Sequence, residues 1–124
     1  MMAAAAGIVD TYRGPVILAG GTQMLAVAAV VGKRGGEVPP LATTVYVRDD
    51  PSAGFPGTAA RLGVRVTYVD PGFGAIGHQG LARYCEGEVK EGIGAGGAML
   101  LAALRGKSPE EIRAKILATV TGFA

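Results

Sequence analysis

Pro15-Val16-Ile17-Leu18-Ala19-Gly20-Gly21-Thr22-Gln23-Met24 is the stretch that decides the fold. Its first five residues are a continuous apolar run closed by two glycines. A strand covered on both faces reads this way, and such strands belong to parallel sheets. Gly20-Gly21 turns the chain and Thr22 stands where a helix N-cap is expected. Gln23 to Lys33 then reads as a helix that is apolar nearly all round, hence buried, ended by Gly35-Gly36.

Working outward, Ala3 to Tyr12 is an alanine-rich helix that stops near Gly14-Pro15. On the other side, Thr43-Thr44-Val45-Tyr46-Val47 is β-branched and aromatic and predicts a second strand, stopped by Asp49-Asp50-Pro51. Gly57 to Leu62 is a short helix. Val64-Arg65-Val66-Thr67-Tyr68-Val69 is a third strand, ended by Asp70-Pro71-Gly72. Strands alternating with helices imply right-handed crossovers. The expected fold class is α/β: a three-layer, Rossmann-like arrangement of a mainly parallel sheet with flanking helices, in one domain over residues 1–124. Downstream, Gly80 to Glu88 reads as a short helix, Gly92 to Gly97 as a glycine loop and Ala98 to Leu104 as a helix. Ser108-Pro109-Glu110-Glu111 opens the last helix with a capping box, its apolar stripe is Ile112, Ile116, Leu117 and Val120, and Gly122 ends it.

Bulk properties narrow the function classes. The chain has 124 residues, 49% of them apolar and 18% charged, which is too apolar for a disordered segment. The net charge is +2, the basic residues are scattered and there is no tryptophan, so a nucleic-acid partner is not expected. The apolar stretch Val16 to Val31 is broken by Gly20-Gly21-Thr22-Gln23, so no membrane span is expected. The single cysteine, Cys85, fits a reducing cytoplasm and reads as a packing residue. His78 is the one histidine, and no metal cluster or Ser-His-Asp pattern can be built around it. No metal or cofactor is expected.

The segment Glu88-Val89-Lys90-Glu91-Gly92-Ile93-Gly94-Ala95-Gly96-Gly97-Ala98-Met99 carries most of the chemical information. Glycines before a helix leave unpaired backbone N–H groups open to an anion, and phosphate is the natural ligand. Tight packing of a helix on a sheet explains the same glycines equally well. Gly92, Gly94 and Gly97 fit G-x-G-x-x-G, but no buried strand precedes them and no acidic residue follows at the dinucleotide spacing. Glu91 at the head of the loop is either a proton acceptor or a solvated partner of Lys90 or Lys107. Asp49, Asp50 and Asp70 follow strand ends and read first as turn formers. Gly20, Gly21 and Thr22 form a second strand-to-helix turn able to approach a ligand.

Taken together, the Val16–Met24 and Glu88–Ala98 segments, with Val69-Asp70-Pro71-Gly72-Phe73 and Gly80-Leu81 between them, resemble the nicotinate-nucleotide–dimethylbenzimidazole phosphoribosyltransferase family. The resemblance runs from about Gly14 to Arg105 and is closest to the C-terminal part of the archaeal and cyanobacterial-type branch. It implies transfer of a ribose phosphate from nicotinate mononucleotide to 5,6-dimethylbenzimidazole or a related base, in cobalamin lower-ligand synthesis. It implies that Glu91 is the general base and that Gly92, Gly94 and Gly96 lie in the phosphate loop. Gly20, Gly21 and Thr22 are then substrate-proximal candidates. Members of that family also have a long N-terminal portion that builds much of the base pocket. The expected partners are therefore the two small substrates and either a second copy of the chain or a separate N-terminal half.

Overall fold

The computed structural model describes residues 1–87 and 94–123. Three parallel strands form one sheet in the order β1 (Leu18–Ala19), β2 (Leu41–Thr44), β3 (Val66–Val69). Leu18 pairs with Leu41 and Leu41 with Val66, so the three strands run in step and their carboxyl ends form one edge. The α/β class and the parallel sheet flanked by helices are as expected.

On one side of the sheet lie α2 (Thr22–Lys33) and α4 (Phe55–Arg61), with α1 (Met2–Thr11) packed on α2. Leu25, Ala28 and Val31 of α2 meet Leu18 and Leu41 of the sheet, and Ala6, Phe55 and Ala59 close the cluster. Burying side chains of this kind contributes roughly 1.5–3 kcal/mol each for the larger ones. The other face is covered by α6 (Ala95–Leu104), which lies across all three strands, with α7 (Pro109–Thr121) outside it. Gly96 and Gly97 let α6 approach: a side chain on Gly96 would fall 2.5–2.8 Å from the backbone of Thr43, and one on Gly97 would overlap Ala19.

The second strand differs from its expected span. It covers Leu41 to Thr44, and Val45 to Asp49 form a short helix, α3. The β-branched run continues beyond the sheet, where the chain turns inward to bury Val47 against the α4 side. Strand propensity reflects a half-buried pleated surface rather than a backbone preference, and here that surface ends at Thr44. The first strand is shorter than expected, because Val16 and Ile17 precede the point where β2 becomes available for pairing. The helix expected from Ala98 starts at Ala95, so Gly96 and Gly97 are helical. The helix expected over Gly80 to Glu88 spans only Gln79–Ala82, α5, and comes after a 3₁₀ turn at Phe73–Ala75.

The capping box is present as read. Ser108 Oγ accepts the Glu111 N–H at 3.1 Å, and Glu111 accepts the Ser108 N–H at 2.8 Å. The Ser108 N–H, and then Lys107 at 3.3 Å, hold the Glu111 carboxyl below its ordinary value. The box is therefore complete above the ordinary carboxylate range and weakens as pH falls through the lower folded value. Ser108→Ala is expected to cost α7 about 1 kcal/mol. No described residue of α7 is buried, so the loss should appear as faster amide exchange along α7, with the global melting temperature nearly unchanged.

Candidate functional site

Beyond the carboxyl ends of β1, β2 and β3 lies a cleft of about 1300 Å³. Open parallel sheets place their ligands at this edge, because strand ends, loops and helix N-termini meet there. Each strand leads directly into a segment of the cleft lining: Gly20-Gly21-Thr22 after β1, α3 after β2, and Asp70 with Gly72 after β3.

The cleft has two helix N-termini on its rim. Gly21 is the N-cap of α2 and Gly94 the N-cap of α6. Neither provides a side-chain cap, and neither helix has an acidic residue in its first turn. Thr22 is not the cap expected of it but the first helical residue, the cap position falling to Gly21. Gly94 sits beside β1, a Cβ there lying 3.7 Å from the Ala19 carbonyl. The Met24 N–H bonds to Gly21, and those of Gly97 and Ala98 bond to Gly94. The N–H groups of Thr22, Gln23, Ala95 and Gly96 thus have no acceptor within their own helices. Two positive helix ends meet on one cleft whose other lining includes the carboxylates of Asp49, Asp50, Asp70 and Glu86, so a seat for an anion is confined to the helix starts.

Of the residues singled out in the sequence, Gly20, Gly21, Thr22 and Gly94 therefore come together on the cleft. Gly96 is the second residue of α6, buried against Thr43, where its packing role is plain. Glu91 and Gly92 lie outside the described residues. Asp50 and Asp70 line the cleft but serve their own turns: Asp50 Oδ1 accepts the Ser52 N–H at 2.9 Å, and Asp70 Oδ1 accepts the Gly72 N–H at 2.8 Å. Gly72 needs its left-handed backbone (φ 62) to make that turn. Asp49 is held by Arg48 at 2.7 Å, which lowers its carboxyl below the usual range. His78 caps α5, its Nδ1 accepting the Leu81 N–H at 3.3 Å.

Sequence reading missed an aromatic wall. Tyr46, Phe73 and Tyr84 form a triangle with ring centroids 5.0 to 5.9 Å apart, and both tyrosines line the cleft. Tyr46 Oη accepts the Phe73 N–H at 3.1 Å and lies 3.6 Å from the Cys85 thiol. Cys85 is exposed, not packed as expected. Burial, and then the thiol contact, push the Tyr46 phenol up to about 12, so it stays protonated at neutral pH. Flat aromatic faces beside an anion-seeking rim suit a ligand with a planar ring at one end and a negative group at the other. No described helix is long and apolar enough to cross a membrane.

The comparisons agree on one set of relatives. The chain is 48% identical over 122 residues to a UPF0284 protein of Methanosarcina mazei, a match covering 94% of this chain and 35% of that protein. It is 44% identical over 118 residues to a UPF0284 protein of Pyrococcus furiosus, covering 94% and 36%. It is 43% identical over 121 residues to one from Methanothermobacter thermautotrophicus, covering 94% and 34%. No family model matches the chain. Nearly all of this chain is thus similar to UPF0284 proteins of archaea, and it spans about a third of their length.

Proposed function

We propose that the cleft is the donor side of a phosphoribosyltransferase of the nicotinate-nucleotide–dimethylbenzimidazole type. The observation that carries the reading is the convergence of the α2 and α6 N-termini at the carboxyl edge of the sheet, with Gly20, Gly21 and Gly94 at the rim. The donor is nicotinate mononucleotide. Its phosphate is held by backbone N–H groups and helix dipoles around Gly92, Gly94 and Gly96, and its pyridine ring is a planar partner for the tyrosine wall. Anchoring the phosphate fixes the ribose, so that C1′ is presented to the incoming base.

The acceptor is 5,6-dimethylbenzimidazole or a related base. Its ring nitrogen forms a bond to C1′ as the bond from C1′ to the pyridine nitrogen breaks, and nicotinate leaves with that electron pair. The acceptor's N–H proton passes to a carboxylate, for which Glu91 is the candidate. The products are the α-ribazole phosphate and nicotinate. In this reading the rest of the acceptor pocket comes from a second copy of the chain or from an N-terminal half.

A second reading is a non-catalytic nucleotide-binding or assembly module, which keeps the two helix N-termini on the cleft and needs no base. Calorimetric titration with nicotinate mononucleotide, with nicotinate alone as control, tests the donor site. Tight binding that requires the phosphate is expected. A folded sample that binds neither compound removes the transferase reading from this chain. Binding without product, even with acceptor present, favours the module.

A further inference from the structure

Strand β2 is the middle strand of the sheet, and its last two residues are Thr43 and Thr44. Their exposures are 0% and 3%, and among the described residues neither hydroxyl oxygen has a hydrogen-bond partner. A buried hydroxyl without a partner is destabilising, and valine fills the same space without that cost. Two adjacent orphan hydroxyls at the end of the central strand therefore point to partners that arrive from outside the protein.

The faces of β2 show where each hydroxyl stands. Side chains alternate along a strand. Leu41 packs with Leu25, Ala28 and Val31 of α2, so Thr43 shares the α2 face. The Gly20 N–H bonds to the Ala42 carbonyl at 3.2 Å, which continues the pairing and sets Thr43 beside the turn that opens α2. Ala42 faces α6, its Cβ 4.0 Å from where a Gly97 side chain would begin. Thr44 shares that face, at the end nearest the start of α6. The two unpartnered hydroxyls thus stand on opposite faces of the strand, just beneath the residues that line the cleft, Thr43 on the α2 side and Thr44 on the α6 side.

We propose that this strand end seats a ligand with two separate anionic groups, one at each helix N-terminus. Thr44 donates to the phosphate at α6, and Thr43 to a second anion at α2, beside the N–H groups of Thr22 and Gln23. Resting on the donor assignment above, the second anion is the pyridine carboxylate. Thr43 is then a specificity-determining residue that separates the nicotinate nucleotide from its uncharged amide analogue.

The test uses Thr43→Val, Thr44→Val and the two serine variants of the 124-residue chain, titrated with three probes: nicotinate mononucleotide, nicotinamide mononucleotide and ribose 5-phosphate. Thr44→Val is expected to weaken all three about tenfold, the loss of one charge-assisted hydrogen bond. Thr43→Val is expected to weaken only the nicotinate nucleotide, by a similar factor, and both serine variants should bind as the parent does. Both valine variants should melt at or above the parent temperature without ligand. A lower melting temperature would mean that the hydroxyl already has a partner, which overturns the proposal. Equal binding of the nicotinate nucleotide by parent and both valine variants also overturns it, while leaving the donor reading intact. A folded parent that binds none of the probes overturns both.

Discussion

Gly96→Ala is expected to destabilise the fold by about 3 kcal/mol, the upper end for overpacking. The added methyl would sit 2.5 Å from the Thr43 carbonyl carbon, 2.6 Å from its oxygen and 2.8 Å from its Cα. These are backbone atoms of the central strand, which is bonded on both sides, so they cannot turn aside as a side chain would. Either α6 lifts off the sheet or β2 distorts. Net stabilities are about 5–15 kcal/mol, so the change removes a large fraction of the total. Gly7→Ala in α1 is the control. A Cβ there meets nothing within 4 Å, and alanine is the better helix former, so a gain of about 0.5–1 kcal/mol is expected. Chemical denaturation of both variants measures the contrast. A Gly96→Ala protein as stable as its parent would mean that α6 is not seated against β2 as described.

Under the proposed transferase reading, Glu91→Gln is expected to reduce turnover by about 10²–10⁴-fold, the usual contribution of a general base, while affinity for nicotinate mononucleotide is retained. Glutamine keeps the shape and removes the proton-accepting charge. In the proposed reaction the acceptor's N–H proton leaves as its other ring nitrogen bonds to C1′, so the deficit falls on the chemical step and not on donor binding. Single-turnover kinetics with whatever supplies the acceptor pocket, beside a donor titration, separates the two. Full activity in the variant would remove Glu91 from the role. A parallel loss of donor affinity would make it part of the donor site instead.

The parallel sheet was legible because β1 and β3 announce themselves: an apolar run closed by two glycines, and a β-branched run closed by Asp70-Pro71-Gly72. Strand β2 was not legible at its start, since Leu41-Ala42 comes after two prolines and alanine carries little strand signal. It was over-read at its end, where Val45-Tyr46-Val47 has strand composition but lies past the sheet. Of the candidate site, the glycine turns were legible as chemistry, and Gly20, Gly21, Thr22 and Gly94 meet at the cleft. The aromatic wall was not, because Tyr46, Phe73 and Tyr84 come from separate parts of the chain and meet only through tertiary packing. Nor were the orphan hydroxyls, since a threonine in a strand looks like ordinary β propensity until its partners are sought. At Gly96 the free N–H follows from its place in the first turn of α6, and the missing side chain lets that turn lie against β2.

The tyrosine wall also has an optical consequence. With four tyrosines and no tryptophan, the near-ultraviolet emission of this protein is tyrosine emission alone. Tyr46 and Tyr84 stand on the cleft, while Tyr68 is on β3 and Tyr12 is exposed just beyond α1. Half of the fluorophores therefore border the proposed binding surface, and the unlabelled chain carries a built-in reporter of any ligand that enters it.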